Sequence, residues 1–253
     1  MIDALANAEL ALRTHQKHID MISNNVSNIN TPGYKASTPV FNSLVSEGAN
    51  PNAATSATSG SGVEISDEIY RFDNGEFKFT GSSLDLAIQG NGLLEVELDN
   101  GDYAYTRVTS LRKLEDGSLA TVHGHKLAAG IVVPPDVSEI QISSDGIVNG
   151  VIQGEPEPLE LGQLELALFD SYESLEARDG GLWYRTESAG QMQYLLPSEE
   201  GAGTILQGFT EMSNVNMIEE MVSLMAAQRA YQLNSRVIQT SDQILETINN
   251  LTR

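Results

Sequence analysis

Apolar residues recur at alternating spacings of three and four through the first thirty positions: Leu5, Ala8, Leu12, His15, Ile19, Ile22, Val26 and Ile29. This heptad spacing predicts a helix over residues 1–30 with His15 as the single polar interruption of its seam. No Gly or Pro interrupts it until Asn30-Thr31-Pro32-Gly33, which stacks a turn former, a helix breaker and a φ-permissive glycine. After Gly208 the chain is again free of Gly and Pro to its end. Asn216 followed by Glu219 reads as a capping-box-like helix start. Beyond it run two apolar stripes. One is Met217, Met221, Leu224, Gln228, Tyr231, Ser235, Ile238, Asp242 and Leu245; the other is Ala230, Leu233, Val237, Ile244, Ile248 and Leu251. A helix with two stripes must be covered on more than one side.

The pattern changes between the helices. Residues 46–62 read SEGANPNAATSATSGSG, too polar and too small in side-chain volume to pack, and are expected to be a linker. Residues 63–208 carry short apolar runs (Leu84–Ile88, Leu93–Leu98, Ile131–Val133, Ile140–Ile142, Leu164–Phe169) between Asn-Gly and Asp-Gly pairs. Those pairs, at 74–75, 91–92, 100–101, 116–117, 145–146, 149–150 and 179–180, predict type I′ hairpins and an antiparallel sandwich or barrel-like domain. The expected fold is α+β, divided as a helix and turn motif over 1–35, an extended linker over 36–66, an acidic β-rich domain over 67–208 and a helix over 209–253.

Charge sharpens this division. Of the net −21, residues 36–210 hold −19, residues 1–35 are neutral and residues 211–253 hold −2. So acidic a middle repels phosphate backbones, which argues against nucleic-acid binding. The absence of Cys excludes a disulfide framework and a Cys-based zinc site. No segment reaches membrane-span length, and the N-terminus lacks the basic and apolar regions of a Sec signal.

Catalytic patterns are weak. His15 and His18 lie three apart without a third ligand, and His123-Gly124-His125 reads as a turn; neither makes a metal site. Gly90-Asn91-Gly92 and Gly201-Ala202-Gly203 lack the strand and helix context of a phosphate loop, and there is no G-x-S-x-G elbow. No enzyme activity, metal or cofactor is expected.

Six large apolar seam residues in the first helix are too few to offset the entropy of ordering it, and amphipathic helices owe their stability mainly to packing partners. The helices either cap the β domain as an intramolecular hairpin or are completed by neighbouring copies. A secreted acidic β binding module with a helical oligomerisation stalk is the competing class.

The motifs favour the neighbouring copies. NNVSNINTPGYK (24–35) resembles the signature of bacterial flagellar rod and hook proteins, and GFTEMSNVNMIEEMVSLMAAQRAYQLNS (208–235) is similar to that family's other end. SLDLAIQGNG (83–92) and Tyr105-Thr106-Arg107 resemble its middle. EMSNVNMIEEM (211–221) and Gln228-Arg229-Ala230-Tyr231 point to the distal-rod branch. Leu93-Leu94 in place of aromatics and Val108-Thr109-Ser110-Leu111 in place of a Gly-containing run depart from it, leaving the proximal-rod branch as the alternative. The resemblance implies terminal helices pairing into a coiled-coil-like tubular core around an export channel, with the β domain outside. It also implies passage through the flagellar type III export apparatus and residence in the rod crossing the periplasm. The implied partners are copies of the chain, other rod proteins, the hook protein, and the surrounding periplasmic and outer-membrane rings.

Site roles follow from it. The implied assembly interface comprises Leu5, Leu12, Ile19, Ile22, Asn24, Asn25, Val26, Asn28 and Ile29 of the first helix, with Pro32 and Gly33 redirecting the chain. From the C-terminal region it takes Asn214, Asn216, Met217, Met221, Leu224, Gln228, Arg229, Tyr231, Leu233, Asn234, Val237 and Ile238. The Asn amides can both donate and accept, which suits either inter-subunit bonds or local capping.

Overall fold

The computed structural model describes residues 2–46, 59–153 and 157–251. Two long helices, α1 (Ile2–Ser27) and α2 (Met217–Leu251), flank a β region in which all strand pairs among the described residues are antiparallel. The fold is α+β. The chain divides into two compact units, one built from α1, α2 and residues 37–70, the other from residues 28–36 and 71–214.

In the first unit α1 packs along α2 and against a hairpin of β1 (Ser37–Ser46) and β2 (Ser59–Tyr70). The linker expected over 36–66 is corrected at its described ends. Residues 37–46 and 59–66 lie in strands, and the expected-linker residues 47–58 lie outside the described residues. The small polar run 46–62 hid this hairpin, although β1 itself carries Val40, Phe41, Leu44 and Val45. Its pairing also gains from α1, whose Thr14 hydroxyl lies 2.8 Å from the Val63 carbonyl and whose Lys17 Nζ donates to the Ile65 carbonyl at 3.4 Å. Ala8, Met21 and Ile22 of α1 are buried with Ile65.

The second unit is built on a seven-stranded sheet. Its order is Glu176–Arg178, Leu182–Tyr184, Tyr103–Thr106, Leu94–Glu97, Lys126–Leu127, Leu119–Thr121 and Leu111–Lys113. Smaller ladders pair Thr204–Gln207 with Leu86–Gln89 and Phe209–Glu211 with Phe77–Phe79. A core that includes Leu86, Ile88, Leu94, Val96, Val148, Leu164, Leu166 and Ile205 lies at 8% exposure or less throughout. The segment 28–36, expected to group with the first helix, clusters with this β unit.

The turns differ from expectation. Among the described residues Ser198 is the one non-glycine with positive φ, so the Asn and Asp of the Asn-Gly and Asp-Gly pairs are not left-handed and the turns are not type I′. At Leu98–Asp102, Leu114–Ser118 and Ser143–Ile147 the first amide bonds the fifth carbonyl, and the glycine amide bonds the first carbonyl at 2.9–3.0 Å. These are three-residue loops with the glycine in the left-handed position, at φ +82 (Gly101), +84 (Gly117) and +81 (Gly146). Thr121–His125 is built the same way on Gly124, which accounts for His123-Gly124-His125. Asn149-Gly150, expected as a turn, lies inside the strand Ile147–Ile152. There Gly150 makes room for Val137, whose Cγ2 would stand 2.8 Å from an added Cβ. Ile131–Val133, expected as a strand, forms only an isolated bridge between Val132 and Ser118, although Ile131 and Val133 are buried.

Candidate assembly site

Two sites connect the helices and the β unit to function, each contained within one unit. The first, in the β unit, is a buried charge cluster on Glu211, which is 1% exposed. Its Oε1 accepts from Lys35 Nζ at 2.7 Å and from the Gly75 amide at 2.9 Å. Its Oε2 accepts from Arg107 Nε at 2.5 Å. Arg107 spends its remaining donors on the carbonyls of Ile88, Gly90 and Gly92 and on Asn74 Oδ1, at 2.5–2.8 Å. Lys35 also donates to the Asp73 carbonyl at 2.8 Å.

Burial alone would push the Glu211 carboxyl up, but Arg107 and Lys35 outweigh it and hold it below the ordinary glutamate value. Burial pulls Lys35 below the ordinary lysine value, opposed by Glu211 and reinforced by Arg107. The carboxylate is the counter-charge for two desolvated cations, and removing it strands both.

The backbone around this cluster is equally constrained. Thr31–Tyr34 closes a turn with Pro32 fixed at its second position and Gly33 at φ +70 in its third, the geometry of a type II turn. A Cβ on Gly33 would stand 3.0 Å from the Arg107 carbonyl carbon and the Val108 nitrogen, while its amide donates to the Glu211 carbonyl at 2.9 Å. Gly75 admits no side chain at all, since a Cβ there would lie 1.9 Å from the Met212 carbonyl oxygen. Asn214 completes the junction by accepting from the Ala36 amide at 2.7 Å and donating to the carbonyls of Arg71 and Asp73.

The second site lies in the helical unit. Asn25, 2% exposed, exchanges bonds with the Ser37 backbone at 2.9 and 3.0 Å and donates to Glu220 Oε1 at 3.1 Å. It thereby ties the last turn of α1 to the start of β1 and the first turn of α2. Asn216 caps α2, accepting from the Ile218 amide at 3.1 Å while its Nδ2 donates to Glu219. The outward side of α1 is polar, with Glu9, Arg13, Gln16, Asp20 and Ser23 exposed. The outward side of α2 is mixed, with large apolar side chains exposed among Arg229, Gln232 and Arg236. Ile218 is 75% exposed and Leu233 62%, and Val222, Met225, Val237 and Ile244 are exposed with them.

The expected interface residues therefore separate. Ile22 and Asn25 are buried within the chain. Gly33, Asn214 and Asn216 take part in intrachain turns, bonds and caps. Leu12, Ile19, Val26, Asn28, Ile29, Leu224, Asn234 and Ile238 are half-buried. Asn24, Pro32, Met217, Met221, Gln228, Arg229, Tyr231, Leu233 and Val237 are exposed. The side chains of Leu5, Leu245, Ile248 and Leu251 lie outside those described. Ile218, Val222 and Met225 escaped the sequence reading, although their spacing of four and three was itself a helical signal. Lys35, Arg107 and Glu211 were read only as letters in motifs.

Around Glu211 and Arg107 meet segments 33–36, 73–75, 88–92, 105–107 and 211–214, and all but 73–75 lie in the stretches that carry the likeness to flagellar axial proteins. Comparison with known proteins reaches the same class. Three family models match: "Flagella basal body rod protein" over residues 5–35, "Flagellar hook protein FlgE/F/G D1 domain" over 87–150, and "Flagellar basal body rod FlgEFG protein C-terminal" over 206–251. The flagellar basal-body rod protein FlgG of Borreliella burgdorferi is 38% identical over the whole of both chains. The FlgG of Caulobacter vibrioides is 35% identical over 99% of each. The hook protein FlgE of Escherichia coli is 32% identical over 70% of this chain and 43% of its own length. The chain belongs to the flagellar basal-body rod protein family.

Proposed function

We propose that this chain is a structural, non-enzymatic subunit of the distal flagellar rod. Copies assemble helically through α1 and α2 into a hollow shaft that carries torque from motor to hook and encloses the export channel. The observation that carries this reading is the set of exposed apolar side chains on α2, from Ile218 to Ile244. Exposed large apolar side chains gathered on one helix mark an interaction surface. Within the shaft the terminal helices of neighbouring copies pair in a coiled-coil-like core and the acidic β unit stands outside. The likeness of relatives named as rod and hook proteins supports other rod proteins and the hook protein as partners at the ends of the shaft. Surrounding rings and passage through the flagellar type III export apparatus complete the proposal. No helix among the described residues is long and apolar enough to cross a membrane.

Electron microscopy of the full chain, concentrated stepwise, tests this. Helical tubes are expected above a threshold concentration. Particles that remain monomers or small closed oligomers at every concentration overturn it.

A further inference from the structure

Three of the chain's seven methionines, Met217, Met221 and Met225, stand four residues apart on α2, so they line one side of its first three turns. They are 47, 55 and 50% exposed, whereas Met21 of α1 is 6% exposed. They border Ile218 and Val222 on the outward apolar side. The chain has no cysteine to intercept an oxidant first. Methionine packs adaptably at interfaces because it is unbranched and polarisable, and its sulfoxide is polar and bulkier at the sulfur.

We propose that these three thioethers form an oxidation-sensitive patch that controls whether a free subunit can join a polymer, an inference resting on the assembly role given to α2. The reactant is a two-electron oxygen donor of the peroxide class. A sulfur lone pair attacks one peroxide oxygen, the S–O bond forms as the O–O bond breaks, and the departing hydroxide takes the proton of the transferred oxygen and leaves as water. Each sulfur is oxidised by two electrons and the peroxide is reduced by two. The sulfoxide then places a strong acceptor where apolar contact is needed, and burying it without a donor is unfavourable. Subunits already in a polymer have these sulfurs covered, so the patch gates addition of subunits rather than dissolving a finished shaft.

The test uses the full chain and hydrogen peroxide. Free chain is oxidised, the modified positions are read by peptide mass mapping, and the threshold concentration for polymer is measured by sedimentation. Oxygen is expected on Met217, Met221 and Met225 before Met21. The threshold is expected to rise at least about tenfold, the scale set by burying unsatisfied polar groups. A chain carrying Met217→Leu, Met221→Leu and Met225→Leu is expected to polymerise and to keep its threshold after the same treatment. Oxidised wild-type chain that polymerises at the untreated threshold overturns the proposal, as does loss of assembly in the oxidised triple-leucine chain. If untreated chain forms no polymer, the failure lies instead with the assembly role itself.

Discussion

The β unit and the helical unit solve opposite problems with similar apolar content. The β unit closes its core on itself and spends a buried ion cluster at the junction where its first and last segments meet. The helical unit buries Ala8, Met21, Ile22 and Ala227 but turns Ile218, Val222, Met225 and Leu233 outward. The β unit also leaves Phe79, Tyr103 and Val132 exposed, but the helical unit gathers most of its exposed apolar residues on one helix. The contrast teaches where rigidity and where association are encoded. A β body that must hold a fixed shape uses desolvated charge, which is destabilising when any member is lost and so enforces one arrangement. On the proposed assembly role, α2 keeps its contact residues exposed until neighbours arrive.

The strongest way to break that contrast is to remove the counter-charge. Glu211→Ala leaves Lys35 and Arg107 facing each other without a carboxylate, and the Gly75 amide without an acceptor. The expected loss is about 3–5 kcal/mol for the β unit, the scale for breaking a buried ion pair from one side. Trp183, the chain's one tryptophan, reports it, being buried beside Phe72 at a ring separation of 4.7 Å. Urea unfolding followed by Trp183 emission should show the midpoint falling sharply. An unchanged midpoint would mean that the cluster does not hold the unit together.

How much of this was legible beforehand follows from range. Both helices were readable because three-and-four spacing and missing Gly and Pro are local signals; α1 ends at Ser27, three residues short of the expected 30, and α2 begins right after its cap Asn216. The turns were readable as places but not as types, because an Asn-Gly pair serves a type I′ turn and a glycine-bulge loop equally well. The β1–β2 hairpin was missed because the small polar run 46–62 outweighed the apolar residues of its strands, and because the α1 side chains that meet it, Thr14 and Lys17, are remote in sequence. The cluster at Glu211 was missed for the plainest reason. Lys35 lies 176 residues away and Arg107 lies 104 away, and nothing local in the sequence pairs them. Their neighbours did carry a hint, since Asn74-Gly75 and Gly90-Asn91-Gly92 supply the bare backbone that surrounds the two cations.

Acidification sharpens the comparison with a smaller effect. Burial, aided by the His15 charge, lowers His18 below its ordinary 6.5. The unfolded chain then binds the proton more readily, so stability from this group is present above pH 6.5 and lost as pH falls through the folded value. Glu211, held below its ordinary 4.5, contributes stability above that pH and loses it only as pH falls further. The helices belong to one unit and Trp183 to the other, so far-UV circular dichroism and Trp183 emission separate the two steps. Helical signal should weaken first below pH 6.5, and the early step should disappear in His18→Gln. Simultaneous change of both signals would show that the units lose structure together.

The smallest expected effect on the isolated chain is the most informative. Ile218→Ser replaces a side chain that is 75% exposed with one of similar helix propensity. In dilute chain the unfolding free energy should therefore change by no more than about 0.5 kcal/mol, as at other surface positions. In concentrated chain the same substitution removes apolar area from the outward side of α2, and the threshold for polymer should rise several-fold. The two measurements together locate the burial. Were Ile218 covered by its own chain in solution, the substitution would cost dilute protein the roughly 2–5 kcal/mol of a truncated core residue. Stability lost in the monomer with assembly unaltered would assign the apolar side of α2 to the single chain; stability kept with assembly weakened assigns it to the neighbouring copy.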